Sequence, residues 1–573
     1  MQSARFNSPA VTTWAGWGLS TLLLVIVFIA PLLLVTWRSL GDPLFQNYVA
    51  VAQSEAIQAI MVRTIRLGLI VTLACAVLGY PAAYALVRVD PRWRTLLLAA
   101  IMLPFLSSYL VRTYGWIAIL GNNGLFAGIG GWLGWSTTSL TGTLSGLVVA
   151  MTHMLLPLMI MPIFTSMSAI DNRQMLACQS LGAGPAESFV RVYFPQSLPG
   201  LLSGILLVFI LSLGFFITPA LIGGARETTL SQVIYMFINE LFDWKRSSSL
   251  AVGLLLVIII LFVVASRVVD LGMMFGVRRG TTDTRRSGRA ARTGRLTTII
   301  ARAAAGLPLQ HHGLGLCRVA LGLSLVVLLL PLVYVLLVSF QPLRLLALPT
   351  EGLSLNWYRT VLGKSEWYDA TLNSIAVAGL ATLIAFTIGL FLATRARTAS
   401  GILRSIITTL ALGPIALPVI VLALGIYAVF IQLGWTGNIF ALAFAHAIVA
   451  LPYVFTNMAN GLAGYDTTLD QAASSLGARP WTSFRRIKVP VLRTSIVTAC
   501  VLAFLISFDE LVITLFIAGP ALPTLPVRMW AATSQNISPE LAVVGTLLTL
   551  LVLVAFGAIR LFDRRRRAAH HAS

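Results

Sequence analysis

Charge of either sign is scarce in this sequence: 10% of its 573 residues are Asp, Glu, Lys or Arg, and only 19 are acidic. Soluble domains carry roughly 25% charged residues, so a water-exposed globule is excluded. Cysteine is scarce as well. Cys75, Cys178, Cys317 and Cys500 are far apart in the sequence; this supplies neither a disulfide framework nor metal-ligand spacing. No nucleophile, base and metal-ligand set clusters along the chain, which argues against an enzyme embedded in a membrane. A phosphate-cradling loop is missing too. The tripeptide Gly363-Lys364-Ser365 lacks the glycine that such a loop needs five residues earlier, where Tyr358 stands.

What the chain has is apolar length. Hydrophobic residues make up 58% of it, and crossing about 30 Å of hydrocarbon at about 1.5 Å per residue takes about 20 of them in succession. Such stretches lie at 17–37, 61–87, 96–120, 140–165, 200–222, 250–272, 315–339, 370–394, 404–433, 436–460, 494–517 and 541–562. These twelve spans predict an all-α polytopic membrane protein. The first, around Trp17 to Val35, is longer than the apolar core of a secretory signal, and no small-x-small cleavage pattern follows it, so it reads as a retained span.

The net charge is +21. On a soluble chain that excess would point to nucleic acid; on a polytopic one it follows from Lys and Arg being held on the cytoplasmic side of short loops. The positive residues collect at 88–94, at 395–404, in the tail Arg564 to Arg567, and between Gly276 and Gly313, where eight arginines face a single acid, Asp283. Those segments, and with them both termini, are expected in the cytoplasm. No nucleic acid is expected as a partner.

The spans also repeat. At an offset of 310, Thr64 matches Ser374, Gly79 matches Gly389, Pro104 matches Pro414 and Gly115 matches Gly425; at 295, Pro157 matches Pro452, Leu181-Gly182-Ala183 matches Leu476-Gly477-Ala478, Pro195 matches Pro490 and Gly224 matches Gly519. The change of offset places extra residues around 121–145. The expected organisation is a first half over 1–275, an arginine-rich linker over 276–313 and a second half over 314–573, as two parallel six-helix repeats.

Between its fourth and fifth spans each half carries a long polar segment, 166–199 and 461–493. Within it, Asp171 and Asp466 suit a helix N-terminus, Gly182 and Gly477 its C-terminal turn, and Pro185 and Pro480 the start of a further helix. The motif is Leu176-Ala177-Cys178, three residues, Gly182 in one copy, and Gln471-Ala472-Ala473, three residues, Gly477 in the other. The small Ala472 and Ala473 leave one side of this helix slim enough to lie in a groove on another protein.

Here the chain resembles the inner-membrane permeases of binding-protein-dependent ABC importers, whose signature is Glu-Ala-Ala, three residues, then Gly. Neither copy keeps the acid, since Leu176 and Gln471 occupy its place. The resemblance covers most of both halves. It implies a type I ABC importer permease fold, multi-pass in the bacterial inner membrane, with Leu176, Ala177, Cys178 and Gly182, and Gln471, Ala472, Ala473 and Gly477, coupling to a cytoplasmic ABC ATPase dimer. It also implies a periplasmic solute-binding protein as partner. No catalysis and no cofactor belong to this chain; ATP and magnesium would be bound by the ATPase.

The stretches Ser107 to Trp116 and Phe216 to Gly224 in the first half, and Ser507 to Val512 with Thr524-Leu525-Pro526 in the second, look like the two different permease subunits of spermidine/putrescine importers joined in one chain. Ferric iron, phosphonate and thiamine are the other solutes that related permeases carry. A twelve-span secondary transporter is the alternative from another class, and it would not need the paired segments. Charges inside spans mark a pathway or a structural pair. On that ground Arg112, Asp509 and Glu510 are candidates for a translocation pathway that favours cations, with a structural pairing or snorkelling role for Arg112 as the other reading. His153 and His446 read as hydrogen-bonded packing residues.

Overall fold

The computed structural model describes residues 29–134, 139–266, 313–344, 346–348, 352–519, 522–535 and 537–554. The beginning of span 17–37, the ends of spans 250–272 and 541–562, nearly all of the 276–313 linker and the arginine tail lie outside the described residues. Among the described residues all regular structure is helical.

Eight helices are long and apolar enough to cross a membrane: Glu55–Val87, Leu144–Ser168, Pro185–Leu213, Trp244–Val264, Gly313–Val338, Ser365–Thr398, Ile439–Ala463 and Pro480–Phe508. The spans expected at 96–120 and 404–433, which contain Pro104 and Pro414, are bent pairs: Pro91–Phe105 meets Tyr109–Trp132 at 91°, and Gly401–Ala416 meets Val419–Leu433 at 105°. The breaks fall on extended residues, Ser107 and Ser108 in one half, Leu417 and Pro418 in the other. Proline drives the residue before it out of the helical region, which accounts for Leu417. The spans expected at 200–222 and 494–517 also end early, at Leu213 and Phe508, and the chain turns into short helices, Ile217–Ile222 and Val512–Ile517. The extra residues around 121–145 include a helix of their own, Leu125–Trp132.

The described residues pack as two units that interleave the covalent halves. One unit takes the first described helix, Ala30–Leu40, together with Ile234–Leu255 and Glu366–Arg528; the other takes Glu55–Val233 and the described parts of Leu256–Ser365 and of the chain from Met529 onward. Each unit therefore contains the first helix of the opposite half. Two glycines make this possible. A Cβ on Gly115 would stand 2.9 Å from both Cβ and the carbonyl oxygen of Pro331, and one on Gly425 would stand 3.1 Å from Pro31 Cβ. Small residues let helix backbones approach closely where lipid leaves no hydrophobic drive to association. The pair Gly79 and Gly389 serves the crossing with the fourth span of each half, where an added Cβ would meet Met159 at 3.0 Å and Val454 at 2.6 Å.

Hydrogen bonds repeat as well. The Leu230 amide donates to Thr64 Oγ1 (3.0 Å) and the Leu525 amide to Ser374 Oγ (2.8 Å). The Gly142 amide donates to the Ile222 carbonyl and the Gly437 amide to the Ile517 carbonyl, both at 2.8 Å. After each first helix a buried serine meets a tyrosine hydroxyl, Ser39 with Tyr48 (2.6 Å) and Ser339 with Tyr358 (2.8 Å), tucking a short helix against it.

Candidate functional site

The paired segments are built alike at their ends. Asp171 Oδ1 accepts from the Arg173 amide and Asp466 Oδ1 from the Thr468 amide, both at 2.9 Å, so a carboxylate opens each short helix, Asn172–Ser180 and Thr468–Ser475. That amide donation holds the Asp466 carboxyl below the usual carboxylate range. Gly182 and Gly477 turn the chain with φ of +93° and +78°, and an added Cβ on either would meet nothing within 4 Å. Pro185 and Pro480 then start four-residue helices that pass directly into π turns, Phe189–Tyr193 and Phe484–Lys488, and on into the fifth span of each half. The wide turns follow from Pro195 and Pro490, which have no amide to give to an α-helical partner. The Phe194 and Val489 amides reach back instead to the Phe189 and Phe484 carbonyls.

The exposed face of each short helix is where the sequence placed the motif. Leu176 is exposed, and so are Ala177, Gln471 and Ala472, while Cys178 is half-buried. Ala473 is not exposed but buried, so the slim side expected of Ala472 and Ala473 together is presented by Ala472 alone. Two residues that sequence reasoning did not single out are the most exposed large hydrophobic side chains among the described residues. Leu181 and Leu476 stand 89% and 87% open, directly before the turning glycines. The available signal was their repetition in the matched Leu-Gly-Ala triplets.

The interiors of the two segments differ. In the second copy Asp470 binds three groups: Oδ1 accepts from Tyr465 (2.9 Å) and Ser483 (2.8 Å), and Oδ2 lies 3.1 Å from Lys488 Nζ. Burial alone would raise this carboxyl, but hydrogen bonds from Ser483, Lys488 and Tyr465 outweigh it and hold the group below its ordinary range. Burial and the bond to Asp470 push the Tyr465 hydroxyl up to about 12. Arg397 donates to the Tyr465 carbonyl at 2.8 Å and lies 5.7 Å from its ring, joining the second span to the same knot. In the first copy Met175 stands where Asp470 does, and aromatic packing takes the place of the knot; the ion pair there, Arg191 with Glu187 (2.8 Å), joins the four-residue helix to the π turn and does not reach the short helix. Tyr84 meets Phe189 and Tyr193 edge-on at 5.3 Å, and the Arg88 guanidinium lies 3.5 Å from the Tyr84 ring. A single amide pair, Gln196 to Gln174 (2.8 Å), reaches the short helix.

The three intramembrane charges are not brought into one packing unit. Arg112 is fully buried in the helix Tyr109–Leu120; its Nε donates to the Ser108 carbonyl (3.4 Å) and its guanidinium lies 4.3 Å from the Tyr109 ring. Asp509 ends the fifth span of the second half. Glu510 is buried and accepts from the amides of Ile513 (2.8 Å) and Thr514 (3.3 Å), opening the helix Val512–Ile517. His446 supports the same turn, bridging Ser507 Oγ (2.9 Å) and Thr514 Oγ1 (3.0 Å), with Glu510 Oε2 3.8 Å away. His153 Nε2 lies 3.2 Å from the Leu328 carbonyl in the exchanged helix Gly313–Val338. Lys364, from the tripeptide that mimics part of a phosphate loop, is paired with Glu540 (2.8 Å). Among the described residues no group of three or more His, Cys, Asp or Glu is arranged to hold a metal ion.

The model of the family described as "Binding-protein-dependent transport system inner membrane component" matches twice, over residues 75–273 and 385–568. The spermidine/putrescine transport system permease protein PotB of Escherichia coli (strain K12) is 32% identical over 216 residues, which cover 37% of this chain and 78% of the relative. PotB of Salmonella typhimurium (strain SL1344) is 28% identical over 265 residues, 44% of this chain and 91% of the relative. The permease protein PotC of the same kind of system in Haemophilus influenzae is 28% identical over 226 residues, 38% and 85% respectively. Among solved structures, a bacterial alginate ABC transporter in complex with an alginate pentasaccharide-bound periplasmic protein has a TM-score of 0.38 and 14% identity, over 45% of this chain and 93% of that chain. Each permease relative is matched over most of its own length by less than half of this chain, the relation expected where one polypeptide carries two permeases.

Proposed function

Since this chain belongs to the family of binding-protein-dependent transport system inner membrane components, we propose that it forms the whole membrane-spanning part of an importer for a polyamine-like cation. It is a multi-pass inner-membrane permease of an ABC importer; it is not itself an enzyme, and ATP hydrolysis belongs to a separate ATPase subunit. No cofactor is required of this chain. Both termini and the 276–313 linker lie in the cytoplasm on this reading, because the arginines collect there. The segments 171–195 and 466–490 then face the ATPase dimer, while the opposite ends of the spans meet a solute-loaded binding protein in the periplasm.

The mechanism rests on the continuity of helix, π turn and fifth span. Closure of the ATPases on ATP draws the two short helices together, the π turns pass that displacement to the fifth spans, and the pathway opens outward; hydrolysis returns it. A membrane-embedded acid favours cationic solutes. Asp509 is assigned that role here, while the Glu510 carboxylate holds the turn that follows it.

The observation that carries the polyamine assignment is the similarity to both PotB and PotC, whose names specify spermidine and putrescine. Its test is uptake of radiolabelled spermidine by vesicles holding this chain with its ATPase and binding protein. ATP-dependent uptake that unlabelled putrescine competes away is expected. Competition by ferric iron, phosphonate or thiamine, with none by putrescine, would reassign the solute.

A further inference from the structure

The two coupling segments share their caps, their turning glycines and their π turns, yet only one has a carboxylate on its short helix, half-buried, that ties these elements together. Asp470 lies on the short helix Thr468–Ser475, and its three partners are spread over the elements on either side. Tyr465 follows the fourth span, Ser483 is the residue before the π turn, and Lys488 is the last residue within it. One carboxylate therefore clasps both ends of the π turn and the end of the preceding span. The aromatic ring of Tyr465 lies 5.2 Å from Lys488 Nζ and closes the knot. Charge-assisted hydrogen bonds are about twice as strong as neutral ones, and a carboxylate with three donors has little freedom left.

The first copy has the same frame without the clasp. Met175 replaces Asp470, and Ser188, which matches Ser483, turns its hydroxyl to the Gly184 carbonyl of its own helix at 3.0 Å. The position matching Lys488 is Tyr193, packed among rings. Apolar packing resists separation but allows sliding, whereas a three-donor carboxylate fixes angle as well as distance.

We propose that Asp470 is a positioning residue that locks the second short helix to the start of the fifth span, so that the two copies couple to the ATPase unequally: the second as a rigid lever, the first through a compliant aromatic joint. This rests on the reading of 466–490 as an ATPase-coupling segment. The acid that the family signature places at Gln471 is thus present one residue earlier, turned inward to the chain's own helices.

The test uses the full chain assembled with its ATPase, cysteine-free apart from spin labels at Ser474→Cys on the short helix and Thr498→Cys on the fifth span. In the otherwise unaltered chain the distance distribution is expected to be narrow and unmoved by ATP. Asp470→Ala should broaden it at least about twofold while the ATPase stays bound; Asp470→Glu should recover most of the narrowing, and Met175→Ala in the first copy should leave it unchanged. If Asp470→Ala does not accumulate in the membrane, Lys488→Met decides by the same readout. Equal widths with and without the carboxylate overturn the proposal. So does loss of the ATPase from the Asp470→Ala complex, since the residue would then serve docking. The premise is tested separately by Gly182→Asp with Gly477→Asp, which puts a side chain and a charge on each exposed turn and strains its left-handed backbone. An ATPase that still co-purifies with that variant refutes the coupling assignment itself, whatever Asp470 does.

Discussion

Glu510 takes hydrogen bonds from two consecutive amides at the start of Val512–Ile517, and His446 fastens the same turn through Ser507 and Thr514. Inside a membrane these amides have no water to fall back on. Replacing Glu510 by Ala should cost about 1–3 kcal/mol, the penalty for a buried polar group left unmade, whereas Glu510→Gln keeps an acceptor and should cost less. Thermal unfolding of the detergent-purified chain distinguishes the two. Asp509→Asn, which keeps the side-chain shape and removes the charge, should lower spermidine uptake by about tenfold or more, a loss of about 1.4 kcal/mol in transition-state stabilisation. The two acids were conspicuous in the sequence because charge is so scarce there. The structural role of Glu510 was not legible, since it depends on where one helix ends and the next begins, at Phe508 and Val512.

At the scale of the element, the π turns carry the argument. A π turn inserts one residue relative to an α-helix, so it rotates what precedes it by about 100° about the helix axis. Pro490→Ala restores an amide that can donate to the Arg486 carbonyl and lets the turn relax to α-helical geometry. The short helix upstream would then be misdirected with respect to the fifth span. ATP-driven uptake should fall by about tenfold or more in vesicles while the ATPase still co-purifies, and Pro195→Ala should act likewise in the first copy. Uptake equal to that of the unaltered chain would show that the turns are passive. Punctuation by Asp, Gly and Pro made the short helices and their turn readable in advance. The π geometry was not readable, because an amide reaching back five residues leaves no signature in composition. Hydropathy does not register the break in spans 96–120 and 404–433, since it sums over a kink as it does over a straight helix. Only the prolines Pro104, Pro414 and Pro418 hinted at it.

At the scale of the molecule, the covalent halves and the packing units divide the chain differently. Hydropathy and repeat offsets located two six-span halves, but neither quantity contains information about which helix neighbours which, so the exchange of first helices was invisible. Its trace in the sequence is the pair Gly115 and Gly425, whose meaning appears only with Pro331 and Pro31 packed against them. The exchange makes each half incomplete. The unit built on Glu55–Val233 needs Gly313–Val338 from the other half, to which His153 is bonded through the Leu328 carbonyl, and the unit built on Glu366–Arg528 needs Ala30–Leu40. A chain cut between Arg292 and Thr293, inside the arginine-rich linker, should therefore behave as two interdependent proteins. Each half expressed alone should be degraded, having a helix with no groove and a groove with no helix; the two expressed together should accumulate and restore uptake. Gly115→Val in the first fragment should prevent that rescue, because the added methyls enter the space of Pro331, and overpacking of this kind costs about 1–3 kcal/mol. In the uncut chain the same substitution should be milder, since the linker keeps the exchanged helix at high effective concentration. Membrane levels of each fragment, measured by immunoblot with and without its partner, check this; independent accumulation of either half would mean that the exchanged helix is not needed for its stability.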